Sequence, residues 1–225
     1  MESIEHIKTF AVAFMGLFPV VNPIGDAPIF LALTQWYAES TRTVLARKIA
    51  IYGFALLAGS FLFGSFILDF FGISLVVVRL AGGMVVVSTG WSLLNQKDDS
   101  TSQASQPTAS LEDAMEHAFY PLTLPITVGP GCISIAVTLG ARLRHQGGPL
   151  WERGFVSSLI AMFIICVMVF YCYSRADRLV QVLGKAGTTI VTRLSAFILL
   201  AIGVQIIWNG LQEGIPQLIP ALSCR

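Results

Sequence analysis

Apolar residues run along this chain in long uncharged blocks separated by short polar stretches. Ile49–Leu68, Leu80–Gln96, Ala118–Ala141, Gly154–Ser174 and Leu194–Gln212 contain no Asp, Glu, Lys or Arg. Each is about long enough to cross the roughly 30 Å hydrocarbon core of a bilayer as a helix. With the apolar N-terminal segment they predict six spans: Thr9–Leu33, Ile49–Leu68, Ser74–Asn95, His117–Gly140, Gly154–Ser174 and Thr188–Gly210. The expected fold class is therefore all-α, a polytopic membrane protein. Trp36-Tyr37 stands where interfacial aromatics anchor a helix end, and Asp69 with Gly72 marks a very short turn between spans 2 and 3. Ser60 and Gly64 lie one helical turn apart, a small-xxx-small face that lets helices approach closely.

Two of these spans are interrupted. Phe18–Thr34 contains Pro19, Asn22, Pro23, Gly25, Asp26 and Pro28, and Pro121–Ser134 contains Pro121, Pro125, Gly129, Pro130 and Gly131. Proline removes a backbone donor and clashes with the preceding turn. Unpaired backbone in hydrocarbon costs several kcal/mol per group, so such breaks survive inside protein or beside a polar cavity. The plainer reading is a pair of kinked, packed helices. Two breaks at matching places in the halves favour a binding site.

The halves correspond in other ways. Arg79-Leu80-Ala81-Gly82 opens span 3 much as Arg193-Leu194-Ser195-Ala196 opens span 6. Three spans per half is an odd number, so the second half enters the membrane from the opposite side. The expectation is two inverted three-helix repeats, residues 1–95 and 117–212, with helices 1 and 4 broken. Residues 96–116, rich in Ser, Thr, Gln, Asp and Glu, read as a flexible linker, with Ser110 and Asp113 placed to cap a short helix near its end. Residues 213–225 read as a tail with no legible role. Lys8, Arg142, Arg144, Arg153 and Arg225 fall on one side. Arg42, Arg47, Lys48, Lys97, Arg175, Arg178 and Lys185 fall on the other. The larger set belongs inside, which puts both termini outside.

The breaks collect the residues able to do chemistry. Amides at the start of a half-helix, with the helix dipole, attract a carboxylate. Asn22 adds a donor and an acceptor. Gly25, Gly129 and Gly131 let a ligand approach the backbone. Thr127 and Ser134 contribute hydroxyls, as does Thr123. Together Asn22, Gly25, Thr127, Gly129, Gly131 and Ser134 form the expected substrate site, with Pro23 and Pro130 holding the breaks open. Asp26 is a carboxyl group in an apolar run, a functional candidate by default. It either couples transport to Na⁺ or H⁺, or caps the second half-helix. Arg79 and Arg193 either gate and balance a substrate carboxylate, or snorkel or pair with an acid such as Asp69. Gln205 and Asn209 are placed to bridge helices.

Composition narrows the function classes. Charged residues make up 12% of the 225 and net charge is +1, against about 25% charged in soluble domains. No basic face for nucleic acid is suggested. Cys132, Cys166, Cys172 and Cys224 have no CxxC spacing, and His6, His117 and His145 are scattered. Neither a metal site nor a disulfide framework is expected, and no cofactor. Acids at Glu2 and Glu5 argue against a cleavable signal peptide. The chain contains neither GxxxxGK[ST] nor HExxH, and no catalytic residue or enzyme activity is expected.

Asn22-Pro23-Ile24-Gly25 with Pro28-Ile29-Phe30, Phe71-Gly72-Ile73-Ser74, Arg79-Leu80-Ala81-Gly82-Gly83, Pro121–Pro125 leading to Gly129-Pro130-Gly131, and Ser195–Gly210 together resemble the MarC (UPF0056-type) family across all six spans. The resemblance implies a bacterial or archaeal inner-membrane protein of inverted three-helix repeats, related to the LysE-like amino-acid exporter group. It also implies ion-driven transport of small neutral amino acids such as glycine and alanine. Ala196-Phe197 follows Arg193-Leu194-Ser195 where the resemblance leads one to look for glycine. Nothing in these residues supports drug efflux. The partners implied are a small solute and the lipid bilayer, with a homo-oligomer left open. A channel, or a membrane scaffold without transport, is the alternative.

Overall fold

The computed structural model describes residues 2–95, 111–146 and 148–223, and every regular element among them is helical. The elements are α1 (Glu2–Val21), α2 (Pro23–Thr34), α3 (Glu39–Phe71), α4 (Leu75–Asn95), α5 (Leu111–His117), a wide-turned segment (Ala118–Thr127), α6 (Pro130–Gln146), α7 (Gly148–Ser174) and α8 (Ala176–Ser223). Five spans are long and apolar enough to cross a membrane, and a sixth is the bent pair Ala114–Thr127 and Pro130–Arg144. This is a multi-pass membrane protein.

Local chemistry sets the boundaries. α3 stops at Gly72, whose φ of 66° suits a residue without Cβ. There the Gly72 N–H donates to the Asp69 carbonyl at 3.2 Å and the Ile73 N–H to the Leu68 carbonyl at 2.9 Å, which closes the helix end. The polar stretch expected as a linker at 96–116 lies outside the described residues as far as 110, and Ser110 with it. Residues Leu111–His117 are the short helix. α8 departs from helical geometry at Gly184 (φ 64°) and then continues past Gly210 to Ser223. The expected tail thus begins inside a helix, and its last two residues lie outside the described set.

The two interruptions each end on a proline that starts the next helix, Pro23 and Pro130, but differ in form. The first is confined to Asn22, and His6–Thr34 still runs as one span of 29 residues. The second bends the chain by 70° and is preceded by a whole irregular segment. Within it, Tyr120 and Leu124 are extended, and Tyr120–Pro121 and Leu124–Pro125 are cis. Carbonyls freed by this geometry are recaptured by hydroxyls. Thr123 donates to the Ala118 carbonyl at 2.7 Å and Thr127 to the Leu122 carbonyl at 2.8 Å.

α6 occupies the middle, against α1, α3, α4 and α7, while α4 lies along α8. The α4–α8 pair is antiparallel and held by missing side chains. A Cβ on Gly83 would meet the Gly203 carbonyl at 3.0 Å, and one on Gly90 the Ala196 carbonyl at 3.0 Å. The small residue sought in span 6 is thus supplied partly from α4, with Ala196 wholly buried beneath it. Gly64, from the predicted small-residue face, packs on Val137 of α6. The main core gathers Leu17, Phe30, Ile49, Phe61, Met162 and Tyr173, with the Phe30 and Tyr173 rings stacked 4.6 Å apart. Outside, Phe63, Phe66, Met84, Trp91, Phe163 and Phe197 are exposed, an apolar surface that suits lipid rather than water.

Candidate functional site

The sequence around the first break explains its geometry. Asn22 adopts the left-handed conformation (φ 47°, ψ 55°), which Asn tolerates better than most residues. Pro23 follows as the first residue of α2, where its missing N–H costs nothing. The Asn22 Oδ1 then accepts from the Gly25 N–H at 3.3 Å, and its Nδ2 donates to Asp26 Oδ1 at 3.3 Å. A Cβ at Gly25 would overlap the Asn22 amide, so glycine there makes room for the cap. Asn22 is the cap of α2, and Asp26 is not. Asp26 sits further along the first turn, 7% exposed.

These residues face the second break across a cavity of about 810 Å³. Its walls include Asn22 and Asp26 with Gly129, Pro130, Gly131 and Cys132, and α4 completes it with Thr89, Ser92 and Asn95. The volume lies within the roughly 300–1,000 Å³ typical of small-molecule sites. Pro130 is the first residue of α6, so the first-turn amides of Gly131 and Cys132 have no partner within the helix. A Cβ on Gly131 would overlap Val86 of α4. The cavity therefore meets an amide-rich helix start on one side and a carboxyl group with its capping amide on the other.

The predicted substrate residues do not all meet there. Asn22, Gly129 and Gly131 line the cavity, while Gly25 stands behind Asn22. Thr127 is buried away from it, its hydroxyl 3.1 Å from the Tyr173 hydroxyl. Replacing Tyr173 by Phe is expected to cost about 1 kcal/mol of stability and leave solute affinity unchanged. A many-fold affinity loss, measured by titration, would return Thr127 to the site.

Ser134 faces the other way. Its hydroxyl donates to the Val78 carbonyl at 3.0 Å and lines a second cavity of about 420 Å³ with Arg79, Thr138, Arg142, Asn209 and Glu213. Between the two cavities α4 and α6 are in contact, and a Cβ on Gly82 would overlap the Ser134 side chain. Along α6 Cys132 of the first cavity and Ser134 of the second are only two positions apart, roughly 3 Å of rise.

Arg79 pairs with Glu213, not with Asp69. Asp69 instead pairs with Arg144 at 3.4 Å. Arg193 is exposed on α8 and lines neither cavity. Gln205 donates to Asn209 at 2.8 Å within α8, rather than bridging helices. Reading the sequence missed Thr89, Ser92 and Asn95, although their spacing of three residues lies on one helical face. It also missed Glu213, assigned to a tail, and Arg142, assigned to a loop. Among the described residues no cluster of His, Cys, Asp and Glu could hold a metal ion.

Known proteins resemble the chain along nearly its whole length. A family model described as "MarC family integral membrane protein" matches residues 7–215. The chain is 35% identical to the membrane protein YvbG of Bacillus subtilis over 207 residues, covering 91% of this chain and 95% of that one. It is 31% identical to a membrane protein of Methanocaldococcus jannaschii (92% and 97% covered). The inner membrane protein MarC of Salmonella typhimurium is 29% identical (93% and 96% covered). No solved structure matches.

Proposed function

This chain belongs to the MarC family of integral membrane proteins, and from that premise we propose that it is a secondary transporter of a small zwitterionic solute in the inner membrane. The inner-membrane placement leans on the Salmonella relative, which is described as an inner membrane protein. The solute sits in the larger cavity, its carboxylate toward the Gly131 and Cys132 amides and its ammonium toward Asn22. Asp26 carries the coupling ion, Na⁺ or H⁺. The halves act as inverted repeats that rock against each other, a scheme common among secondary transporters.

One observation carries this reading. The two cavities share α1, α4, α6 and α8, the larger one adding α2 and the segment before α6, and they lie toward opposite ends of the shared helices with the α4–α6 contact between them. Arg79 and Asn95 of α4 line different cavities; Met15 and Asn22 do so for the first span. An occluded path needs such a pair of vestibules with a thin barrier between. A continuous pore does not.

Counterflow tests it. Vesicles reconstituted with the full chain and loaded with unlabelled alanine should take up labelled alanine several-fold faster than empty vesicles. Equal rates from loaded and empty vesicles would indicate a passive channel, and no uptake of alanine, glycine or related neutral amino acids would remove the transport reading.

A further inference from the structure

The second cavity holds more chemistry than a passive vestibule requires. Its charged lining is Arg79, Arg142 and Glu213, two guanidinium groups against one carboxylate. The Arg79–Glu213 pair is asymmetric. The Arg79 side chain is 16% exposed and that of Glu213 54%, so the cation is fixed in the wall and the anion reaches it from the open side. Thr138, also in the lining, has a buried hydroxyl without a hydrogen-bond partner. Asn209 accepts from Gln205 through Oδ1, which leaves its NH₂ group to donate into the same space.

We propose that this cavity is a carboxylate-binding station, in which Arg79 exchanges Glu213 for the carboxylate of a small solute and Thr138 and Asn209 complete its hydrogen bonding. Arg142 supplies the surplus positive charge that favours an anion entering from solution. Glu213 acts as a built-in competitor that occupies Arg79 between visits. Arginine suits the role, because its planar fork matches a carboxylate and it remains charged throughout. The exchange also avoids leaving a mostly buried cation without a partner at any stage. The identity of the natural solute rests on the transport reading above, whereas the station itself does not.

The probe is propionate, titrated by calorimetry into the full chain in lipid nanodiscs, with propionamide as the uncharged control. Wild-type protein should bind propionate and not propionamide. A latch closed about nine-tenths of the time weakens apparent affinity about tenfold, so Glu213→Gln should tighten propionate binding by about that factor. Arg79→Gln should weaken it by at least as much, and Arg79→Lys should fall between. A gain of affinity in E213Q cannot come from a misfolded protein, which keeps the test sound if R79Q is unstable. Unchanged or weaker binding in E213Q, unchanged binding in R79Q, or no propionate binding by the wild type would overturn the station. Alanine counterflow persisting beside any of those results leaves the transport reading standing. The expected affinity changes without counterflow would leave the station and remove transport.

Discussion

Asp26→Asn is expected to abolish ion-driven solute accumulation while leaving exchange of solute for solute in place. The carboxyl group lies 7% exposed in the wall of the larger cavity, held by the Asn22 amide at 3.3 Å. Asn has the same shape and can hydrogen bond to Asn22, so the start of α2 is preserved. What it cannot do is bind a proton or supply the negative charge that holds Na⁺. Coupling one charge to a potential of 100 mV supplies about 2.3 kcal/mol, a ratio of about fiftyfold between inside and outside. In vesicles given a Na⁺ gradient or a pH gradient separately, the wild type should reach accumulation of that order with one of them. D26N should equilibrate without accumulation under either. If D26N still concentrates alanine, Asp26 has no coupling role.

A second large effect concerns folding. Gly140 of α6 packs on the α3 backbone, and a Cβ there would overlap the Phe61 carbonyl oxygen. No side chain can swing aside to relieve that overlap, so the two helices must separate. Gly140→Ala is expected to destabilise the protein by about 3 kcal/mol, the upper end of overpacking costs. A substantially lower midpoint in a detergent unfolding titration is the readout. Gly59 lies on α3 with open space where a methyl group would stand, and G59A should stay within about 1 kcal/mol of wild type. Equal midpoints for G140A and G59A would show that the α3–α6 approach is looser than the structure describes.

The contrast between these glycines illustrates how far the chain could be read. Ser60 and Gly64 stood out as a small-residue face, and Gly64 does meet α6 at Val137. Gly140 carries the closest approach of the same pair and had no signal of its own, since a lone glycine in an apolar run looks like any other. The first break was legible because Asn22, Pro23, Gly25 and Asp26 act on one another within a single turn. The second was legible only at its end. Pro130 starts α6 as a proline should, but the extended residues Tyr120 and Leu124 lay in what looked like the first half of a helix. Hydroxyls marked as site donors went two ways: Ser134 turned to a second cavity and Thr127 to Tyr173.

Sequence alone determined the all-helical, membrane-crossing character, the approximate spans, the turn at Gly72 and the break at Asn22-Pro23. Those features depend on hydrophobic runs and on bonds between residues a few positions apart, and nearby chain supplies both. Only the tertiary structure decided that Asn22 and Gly129 share one cavity, that Arg79 meets Glu213, and that Ser134 meets Val78 across 56 residues of chain. A helical face records that it is buried, not which distant face buries it, so pairings between spans become definite only when the helices pack.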